Sequence, residues 1–232
     1  MVSRYDYLAV PVVDDDNRIV GIVTVDDVID ILHEAATEDM LKMAGVGEEY
    51  IETQTIIKGT RIRLPWLFAS CLGGVAAFFI IGGFEETLVQ YAGLAAFIPV
   101  IMGMGGNIGT QSSTIVVRGI ATGRVDVRDF SQVVTKELAV GVILGVVYGL
   151  LIGVVAKIAF INEPFSWAIA IAVGLAILSS MSVAALVGSM VPLIFQRLNI
   201  DPAVATGPFV TTAIDILGVS AYFMIAKLLM DL

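Results

Sequence analysis

Five long apolar runs constrain this chain more than any other feature of its sequence. A helix needs about 20 apolar residues to cross a bilayer, and each run reaches that length. The mean hydropathy is +0.91 and only 15% of the residues are charged, values far from those of soluble domains. The sequence therefore predicts a mainly α-helical, polytopic membrane protein with spans at residues 64–83, 91–117, 138–160, 165–195 and 201–229.

The charges of the connecting segments predict the orientation of these spans. The loop at 118–136 and a collar at 59–64 are basic, whereas the loop at 84–90 holds two glutamates and no basic residue. Basic loops remain in the cytoplasm. We therefore expect a multi-pass protein of the cell (inner) membrane, with a cytoplasmic N-terminus and an external C-terminus. The N-terminus has no basic segment followed by an apolar one, so we expect no cleavable signal peptide.

The residues before the first span carry much of the formal net charge of −9. This charge disfavours nucleic acid as a partner and favours cations. The single cysteine, Cys71, lies in an apolar run, so the chain has no disulfide framework. One histidine, His33, is too few to build a histidine-rich transition-metal site within one chain.

A row of acids precedes the first span at helical spacing. Asp27, Asp30 and Glu34 lie at i, i+3 and i+7, on one face of a predicted helix. Like charges in such rows repel by about 0.2–0.5 kcal/mol per pair, so a divalent cation would stabilise them. A solvated acidic face is the alternative. The candidate cation ligands of this region are Asp26, Asp27, Asp30, Glu34, Glu48 and Glu49.

Residues 99–111, which read PVIMGMGGNIGTQ, carry four glycines inside a predicted span. Glycine disfavours a helix by about 1 kcal/mol relative to alanine, so we expect the helix to break here. Unpaired backbone groups at membrane depth are tolerated only inside the protein or beside a wet cavity. The sequence therefore predicts that this stretch lines an ion path.

The fifth span carries a carboxylate, Asp215, near the middle of its predicted length. Such a group costs about 2.5–3.5 kcal/mol on insertion scales unless it faces water, a partner or a cation. No basic residue lies at comparable depth in the predicted spans, which excludes an ion pair within the chain. Thr211 and Gly218 share its helical face, while Thr212 and Ser220 lie off that face. A pore ligand and a protonated, hydrogen-bonded core aspartate are the two remaining interpretations.

The ligand types in these two stretches indicate which ion would bind. Carboxylate, amide and carbonyl oxygens suit Mg²⁺, Ca²⁺ or Mn²⁺ better than zinc or copper. Mg²⁺ gives up its waters reluctantly, so carbonyls and amides around a carboxylate pair would hold it through its hydration shell. One Asp215 per chain supplies one charge, and a two-fold dimer would supply the second. Ca²⁺ would more often demand several direct carboxylate ligands, so these residues suit a hydrated Mg²⁺ between two subunits better.

Small residues recur every four positions on the third and fourth spans. Such rows let helix backbones approach closely, and they predict a compact bundle; a subunit interface is the alternative. The rows are Gly141, Gly145, Gly149 and Gly153 on the third span, and Ser180, Ala184 and Gly188 on the fourth.

The N-terminal residues 7–31 predict a strand, a turn, a strand and a helix. Their GIVTVDD segment, residues 21–27, resembles the C-terminal half of a CBS motif. The resemblance implies that Thr24 and Asp27 hold the phosphate and ribose of an adenosine nucleotide, with a purely structural cap as the alternative. CBS motifs normally pair and one motif is present here, so we expect an incomplete regulatory domain.

The membrane part resembles MgtE-type magnesium channels. The matching segments are PVIMGMGGNIGTQSSTIVVRGIATGRVD, TKEL, VGSMVP and DPAVATGPFVTTAIDILG. The resemblance implies a homodimer with five helices per subunit, which admits Mg²⁺ to the cytoplasm and closes when cytosolic Mg²⁺ binds acids of the CBS and plug regions. It divides the chain into the C-terminal part of a CBS domain (1–45), an amphipathic connecting or plug helix (46–63) and a five-helix pore domain (64–232).

The same resemblance implies roles for single residues. Asp215 corresponds to the pore carboxylate that holds hydrated Mg²⁺. The other pore-lining positions that it implies are Gly103, Gly106, Asn107, Gly207 and Thr211. Mg²⁺ is thus expected as cargo and as bound regulator, with the lipid bilayer and a second subunit as partners.

Two other mechanisms remain open at this point. In a proton- or sodium-coupled carrier for Mg²⁺, Mn²⁺ or Co²⁺, Asp215 would titrate during the transport cycle. A membrane enzyme would need a second carboxylate, a histidine or a nucleophile pair at membrane depth, and the predicted spans hold none. We therefore expect a transport protein and not an enzyme.

Overall fold

The computed structural model describes residues 2–46 and 55–230 and is mainly helical. Five of its helical segments are long and apolar enough to cross a membrane, and a two-stranded sheet precedes them, so the predicted fold class is confirmed. The elements are α1 (Val2–Tyr5), β1 (Ala9–Val13), β2 (Ile19–Thr24), α2 (Val25–Met43), α3 (Ile56–Gly82), α4 (Glu85–Gln90), α5 (Ile98–Ala121), α6 (Phe130–Ala159), α7 (Ser166–Arg197) and α8 (Pro208–Leu229), with short 3-10 helices at Ala92–Phe97, Val127–Asp129 and Pro202–Ala205.

The N-terminal segment is an antiparallel hairpin followed by a helix, as the sequence predicts. Strand β1 pairs with β2 in a register that places Ala9 opposite Thr24. Helix α2 then begins with a capping box, in which the Thr24 hydroxyl accepts from the Asp27 N–H and the Asp27 carboxylate accepts from the Thr24 N–H. The box fixes the point where the strand becomes a helix.

Two of the membrane helices begin well before their predicted bounds. Helix α3 begins at Ile56, so the basic collar at 59–64 forms its early turns, and α6 begins at Phe130 instead of residue 138. Hydropathy marks where a segment becomes apolar, whereas the hydrogen-bond ladder continues into polar flanks that still favour helix. Of the expected connecting segment 46–63, residues 47–54 lie outside the described part of the chain.

The expected break in the glycine stretch is wrong. Helix α5 runs without interruption from Ile98 to Ala121, preceded by the 3-10 helix Ala92–Phe97. The glycines serve contacts between helices: a Cβ on Gly105 would lie 2.6 Å from Ser180 Oγ and 3.1 Å from Ile214 Cγ2, and a Cβ on Gly109 would overlap Ile214. Tight packing against two neighbours therefore outweighs the low helix propensity of glycine.

The predicted start of the fifth span is also wrong. Asp201 accepts a hydrogen bond from the Ala203 N–H at 2.9 Å and caps the 3-10 helix, not the span. The chain then turns at Gly207, whose φ of +60° favours glycine, and α8 begins at Pro208. Asp215 is consequently the eighth of the 22 residues of α8, about 10 Å from its start.

Helix α7 forms the centre of the bundle. It holds fifteen buried residues over its length and packs on α6, α5 and α8, while α3 packs on α8. Much of α6 and α3 is exposed, which suits lipid-facing helices because apolar side chains need no further cover in a bilayer.

Both predicted rows of small residues are confirmed as helix contacts within the chain. On α6, a Cβ on Gly149 would lie 2.6 Å from the carbonyl oxygen of Gly174 on α7. On α7, a Cβ on Gly188 would overlap the Gly109 carbonyl and lie 3.1 Å from its Cα. The small residues thus bring backbones together across the α6–α7 and α5–α7 seams.

Candidate cation site

Asp215 is the carboxylate around which the candidate site is built. Its side chain is half-buried in α8. Among residues 2–46 and 55–230, none forms a hydrogen bond or an ion pair with it. The core aspartate of the alternative interpretation would need such a hydrogen bond. The carboxylate is therefore free to face a ligand outside this chain.

Ile214, the neighbour of Asp215 in the sequence, determines which residues of α5 and α8 lie at the same level. Ile214 is buried and packs between Gly105 and Gly109 of α5. Asn107 lies midway between those glycines, so it is level with Asp215 along the bundle. Because Gly105 and Gly109 face α8, Asn107 is turned away from that contact and is exposed.

The predicted pore residues of α5 lie on its open face. Apart from the backbone of α5 itself, a Cβ on Gly103 or Gly106 would have no atom of the described residues within 4 Å. Asn107, Gln111 and Thr114 follow at i, i+4 and i+7 and are all exposed. A single chain thus leaves a polar stripe uncovered along a membrane helix.

The predicted residues at the start of α8 are engaged within the chain. The Thr211 hydroxyl donates to the Gly207 carbonyl at 3.0 Å, and the Thr211 N–H donates to the same oxygen at 3.0 Å. These two bonds use both lone pairs of the Gly207 carbonyl. Farther along, Ser220 donates to the Ile216 carbonyl at 2.7 Å and Thr212 packs against Gly73 of α3, so both lie off the Asp215 face as expected.

Ser180 of α7 holds the helices around this site together. Its hydroxyl donates to the Ile101 carbonyl of α5 at 3.3 Å and is buried. A Cβ on Gly218 of α8 would lie 2.9 Å from the same oxygen. The small side chain of Ser180 thus contacts both helices that carry predicted pore residues.

The end of α2 docks at the start of α8. Gly207 packs against the Met43 carbonyl, and a Cβ on Gly45 would lie 3.3 Å from both Pro208 Cγ and Trp66 Cγ. The backbone is therefore in contact at the turn that leads into the helix bearing Asp215.

An ionic cluster reinforces this junction. Lys42 of α2 donates to Asp201 at 2.6 Å and pairs with Glu38. Hydrogen bonds to both carboxylates raise the pKa of Lys42. Partial burial opposes the change at Asp201, but hydrogen bonds from Lys42 and the Ala203 N–H, together with the Lys42 charge, lower its pKa. Both shifts favour the charged forms, so the Lys42–Asp201 ion pair is stabilised.

Asp39 is the acid at this junction whose negative charge is poorly balanced by its surroundings. Burial, and then the negative charge of Asp201, raise its pKa, while Arg118 and Lys42 act in the opposite direction. Arg118 is at the end of α5. The end of α2 thus brings Asp39 near Arg118 of the membrane domain.

The other predicted regulatory residues do not form a cluster in one chain. Asp26, Asp30 and Glu34 are exposed on α2, and Glu48 and Glu49 lie outside the described residues. Within residues 2–46 and 55–230, no group of three or more His, Cys, Asp or Glu side chains is placed to hold a metal ion. Any metal bound by these acids would need ligands from elsewhere.

The two predicted nucleotide-binding residues are paired with each other. The Asp27 carboxylate accepts from the Thr24 hydroxyl at 2.6 Å and from the Thr24 N–H at 2.7 Å. These bonds, with the side-chain bond the stronger, lower the pKa of Asp27. Their evident role in the structure is to start α2.

Sequence reasoning missed two acidic positions. Asp201 is the first residue of the predicted fifth span, and its partner Lys42 is 159 residues away, so no local pattern joins them. Glu137 of α6 is only 6% exposed, but it lies beside Lys136 at the edge of a predicted span, where a charge is expected to be solvated.

Comparison with known proteins agrees with these observations. Residues 98–225 match the family described as MgtE, divalent cation transporter, and residues 1–34 match the CBS domain family. A protein named "Magnesium transporter MgtE" from Thermus thermophilus is 37% identical over 234 residues, covering 100% of this chain and 51% of that protein.

Proteins of the same name from Enterococcus faecalis and Bacillus subtilis are each 38% identical, over 99% and 97% of this chain and 49% of their own lengths. The chain thus spans about half the length of these relatives. The matches confirm the predicted resemblance and the CBS segment. Since the family match covers more than half of the sequence and includes every predicted pore residue, the chain belongs to the MgtE divalent cation transporter family.

Proposed function

We propose that this chain is one subunit of a homodimeric channel that conducts Mg²⁺ into the cytoplasm, with the two Asp215 carboxylates facing the ion. The observation that carries the proposal is the half-buried Asp215 side chain, which has no hydrogen-bond or ion-pair partner among the described residues. A carboxylate in a span is expensive unless water, a partner or a cation faces it. The names of the relatives support Mg²⁺ as that cation.

The exposed stripe on α5 supports a second subunit. Asn107, Gln111 and Thr114 would meet hydrocarbon in an isolated chain, where an unsatisfied polar group costs several kcal/mol. A two-fold dimer closed around this face would cover the stripe and pair the two carboxylates across the axis. The covered face of α5 would then line a water-filled path between the two subunits.

The proposed ion is held through its waters. Mg²⁺ prefers to keep several waters of its octahedral shell, and a hydrated ion needs acceptors spread over a wide ring. Asp215 supplies the charge, and the Asn107 amide and the backbone at Gly103 and Gly106 supply neutral acceptors. Because these glycines have nothing packed against them, water can approach the backbone closely.

Control of the pore is proposed to come from the α2 junction. In the predicted topology the N-terminal segment lies in the cytoplasm, where Mg²⁺ would bind the acids of α2 together with groups from the partner subunit. Gly45 contacts Pro208, and Lys42 pairs with Asp201, so a movement of α2 would be transmitted to the start of α8.

Flux through proteoliposomes tests the pore ligand. Purified protein is reconstituted with a Mg²⁺-sensitive dye inside the vesicles, and influx is driven by a Mg²⁺ gradient. Asp215→Asn should lose most of the flux, and Asp215→Glu should keep part of it, because a water-bound ion tolerates a carboxylate displaced by one methylene. Asp129→Asn is the matched control, since Asp129 is exposed and caps no helix through its side chain.

Two results would contradict the proposal. Unchanged flux in Asp215→Asn would remove the residue from the pore. Flux that follows a proton or sodium gradient at fixed stoichiometry, with no single-channel currents, would favour the coupled carrier.

A further inference from the structure

A groove on the membrane-facing side of the α6–α7 pair has features of a second binding site. Its volume is about 500 Å³, within the roughly 300–1,000 Å³ of small-molecule sites. It runs from Gly145 to Ile158 on α6, a length of about 20 Å. That is longer than one leaflet of a hydrocarbon core that is about 30 Å thick.

The groove exists because the seam between the two helices is made of glycine. Gly149 and Gly174 bring the backbones of α6 and α7 into contact, since a Cβ on Gly149 would lie 2.6 Å from the Gly174 carbonyl oxygen. With no side chains at the seam, the flanking residues Val146, Leu150 and Leu175 form walls with nothing between them. The walls are apolar and exposed.

One end of the groove carries a fixed positive charge. The Lys157 ammonium donates to Ser166 Oγ at 2.6 Å and lies 4.9 Å from the centroid of the Trp167 ring. An ammonium has three donors, and the bond to Ser166 uses one of them. Ser166 is buried and Trp167 is exposed, so the two neighbours hold the charge at the mouth of the groove.

We propose that this groove binds an anionic phospholipid, with an acyl chain along the glycine seam and the headgroup phosphate at Lys157. An acyl chain matches the shape and polarity of the walls, and the phosphate matches the charge and free donors of the ammonium. Trp167 is the amphipathic residue expected at the level of the headgroups. The site is independent of the ion that the pore conducts.

A second copy of the chain fits the groove less well. A two-fold contact through this surface would be isologous, so it would bring two Lys157 ammonium groups to the same height of the membrane. Like charges facing each other would oppose that contact. A lipid instead brings the opposite charge.

Trp167 provides a direct reporter of occupancy. The chain has two tryptophans, so Trp66→Phe leaves Trp167 as the single fluorophore, at the groove. Phospholipids with brominated acyl chains quench a nearby indole, and phosphatidylglycerol and phosphatidylcholine probes differ in net headgroup charge. Lys157→Gln removes the charge, and Lys227→Gln is the matched control, because Lys227 lies in the last turn of α8 and does not line the groove.

We expect half-maximal quenching of Trp167 at a concentration of brominated phosphatidylglycerol about fivefold lower than that of brominated phosphatidylcholine, as one basic residue near an anionic lipid contributes about 1 kcal/mol. The preference should fall to about one in Lys157→Gln and remain in Lys227→Gln. Equal quenching by the two lipids in the unmutated background would overturn the proposal, and so would a preference that survives Lys157→Gln. A change of oligomeric state in Lys157→Gln, measured by light scattering, would assign the groove to a subunit interface and also overturn it.

Discussion

The contact between Gly149 and Gly174 makes a quantitative prediction about the bundle. In Gly149→Ala the new Cβ would lie 2.6 Å from the Gly174 carbonyl oxygen. Ordinary contacts of this kind begin near 3.4 Å, so α6 and α7 must separate by about 0.8 Å at this level. Both atoms belong to backbones, and no side-chain rotation can relieve the overlap.

The separation should destabilise the protein measurably. Overpacking of this kind costs about 1–3 kcal/mol, and for a chain of this size each kcal/mol lowers the melting temperature by about 2–4 °C. We therefore expect Gly149→Ala to melt about 2–12 °C below the unmutated protein, measured by thermal unfolding in detergent.

Matched variants make this result interpretable. Gly74 lies in α3, and a Cβ there would have no atom of the described structure within 4 Å, so Gly74→Ala should cause no loss. In Gly174→Ala the new Cβ would lie 3.0 Å from the Gly149 carbonyl oxygen. Because either methyl group already forces the helices apart, the double variant should lose less than the sum of the two single losses. A Gly149→Ala protein as stable as Gly74→Ala would refute the packing argument.

Three further predictions concern other contacts. Tyr222→Phe removes the buried hydrogen bond that the Tyr222 hydroxyl donates to the Leu94 carbonyl at 2.8 Å, which should cost about 1–3 kcal/mol and appear as a lower melting temperature; an unchanged melting temperature would contradict the contact. Lys42→Met should raise the pKa of Asp201 and increase amide exchange at the end of α2. The increase should be at most about fivefold, because the Lys42–Asp201 pair is partly exposed. Lys58→Met, at an exposed position of α3, should leave that exchange unchanged. The Asp27 pKa is lowered in the fold, so its capping contribution is present above the unfolded pKa of about 3.9 and is lost as the pH falls through the folded value. Amides at the start of α2 should therefore lose protection, relative to their intrinsic exchange rate, at acidic pH. An Asp27→Ala variant should lack that pH dependence.

The sequence was sufficient for the features that depend on composition or on single unusual residues. Five apolar segments of this length predict five helical spans, because a helix pairs all of its backbone groups within the segment, as hydrocarbon requires. The Thr24–Asp27 capping box follows from local spacing. Asp215 was identifiable as a candidate ligand because a carboxylate in an apolar run has few explanations, and its role in the pore stays a prediction.

The errors arose where tertiary contacts decide the local structure. The glycines of α5 predicted a break on propensity alone, but Gly105 and Gly109 allow contact with Ser180 and Ile214, and the helix continues. Asp201 and Pro202 have the form of a helix start, yet the turn at Gly207 places the start of α8 at Pro208. The close fit of Gly207 against Met43 could not be inferred from either segment separately.

The central claim is that two Asp215 carboxylates hold one hydrated Mg²⁺ on the axis of a dimer. Even at the dielectric constant of water, a divalent ion about 5 Å from one carboxylate gains about 1.7 kcal/mol, and about 3.3 kcal/mol from two. Loss of both charges should therefore weaken binding by about two orders of magnitude, which is the size of effect expected in the Asp215→Asn flux measurement.

A structure of the reconstituted protein in Mg²⁺ tests this claim most directly. A water ligand lies about 2.1 Å from Mg²⁺ and donates to a carboxylate over about 2.7 Å, so the ion should lie about 4–5 Å from each Asp215 carboxylate. The account predicts density at that distance from both carboxylates, lost in Asp215→Asn and retained in Asp129→Asn. Two Asp215 side chains that face lipid, or a dimer axis without an ion between them in saturating Mg²⁺, would contradict it.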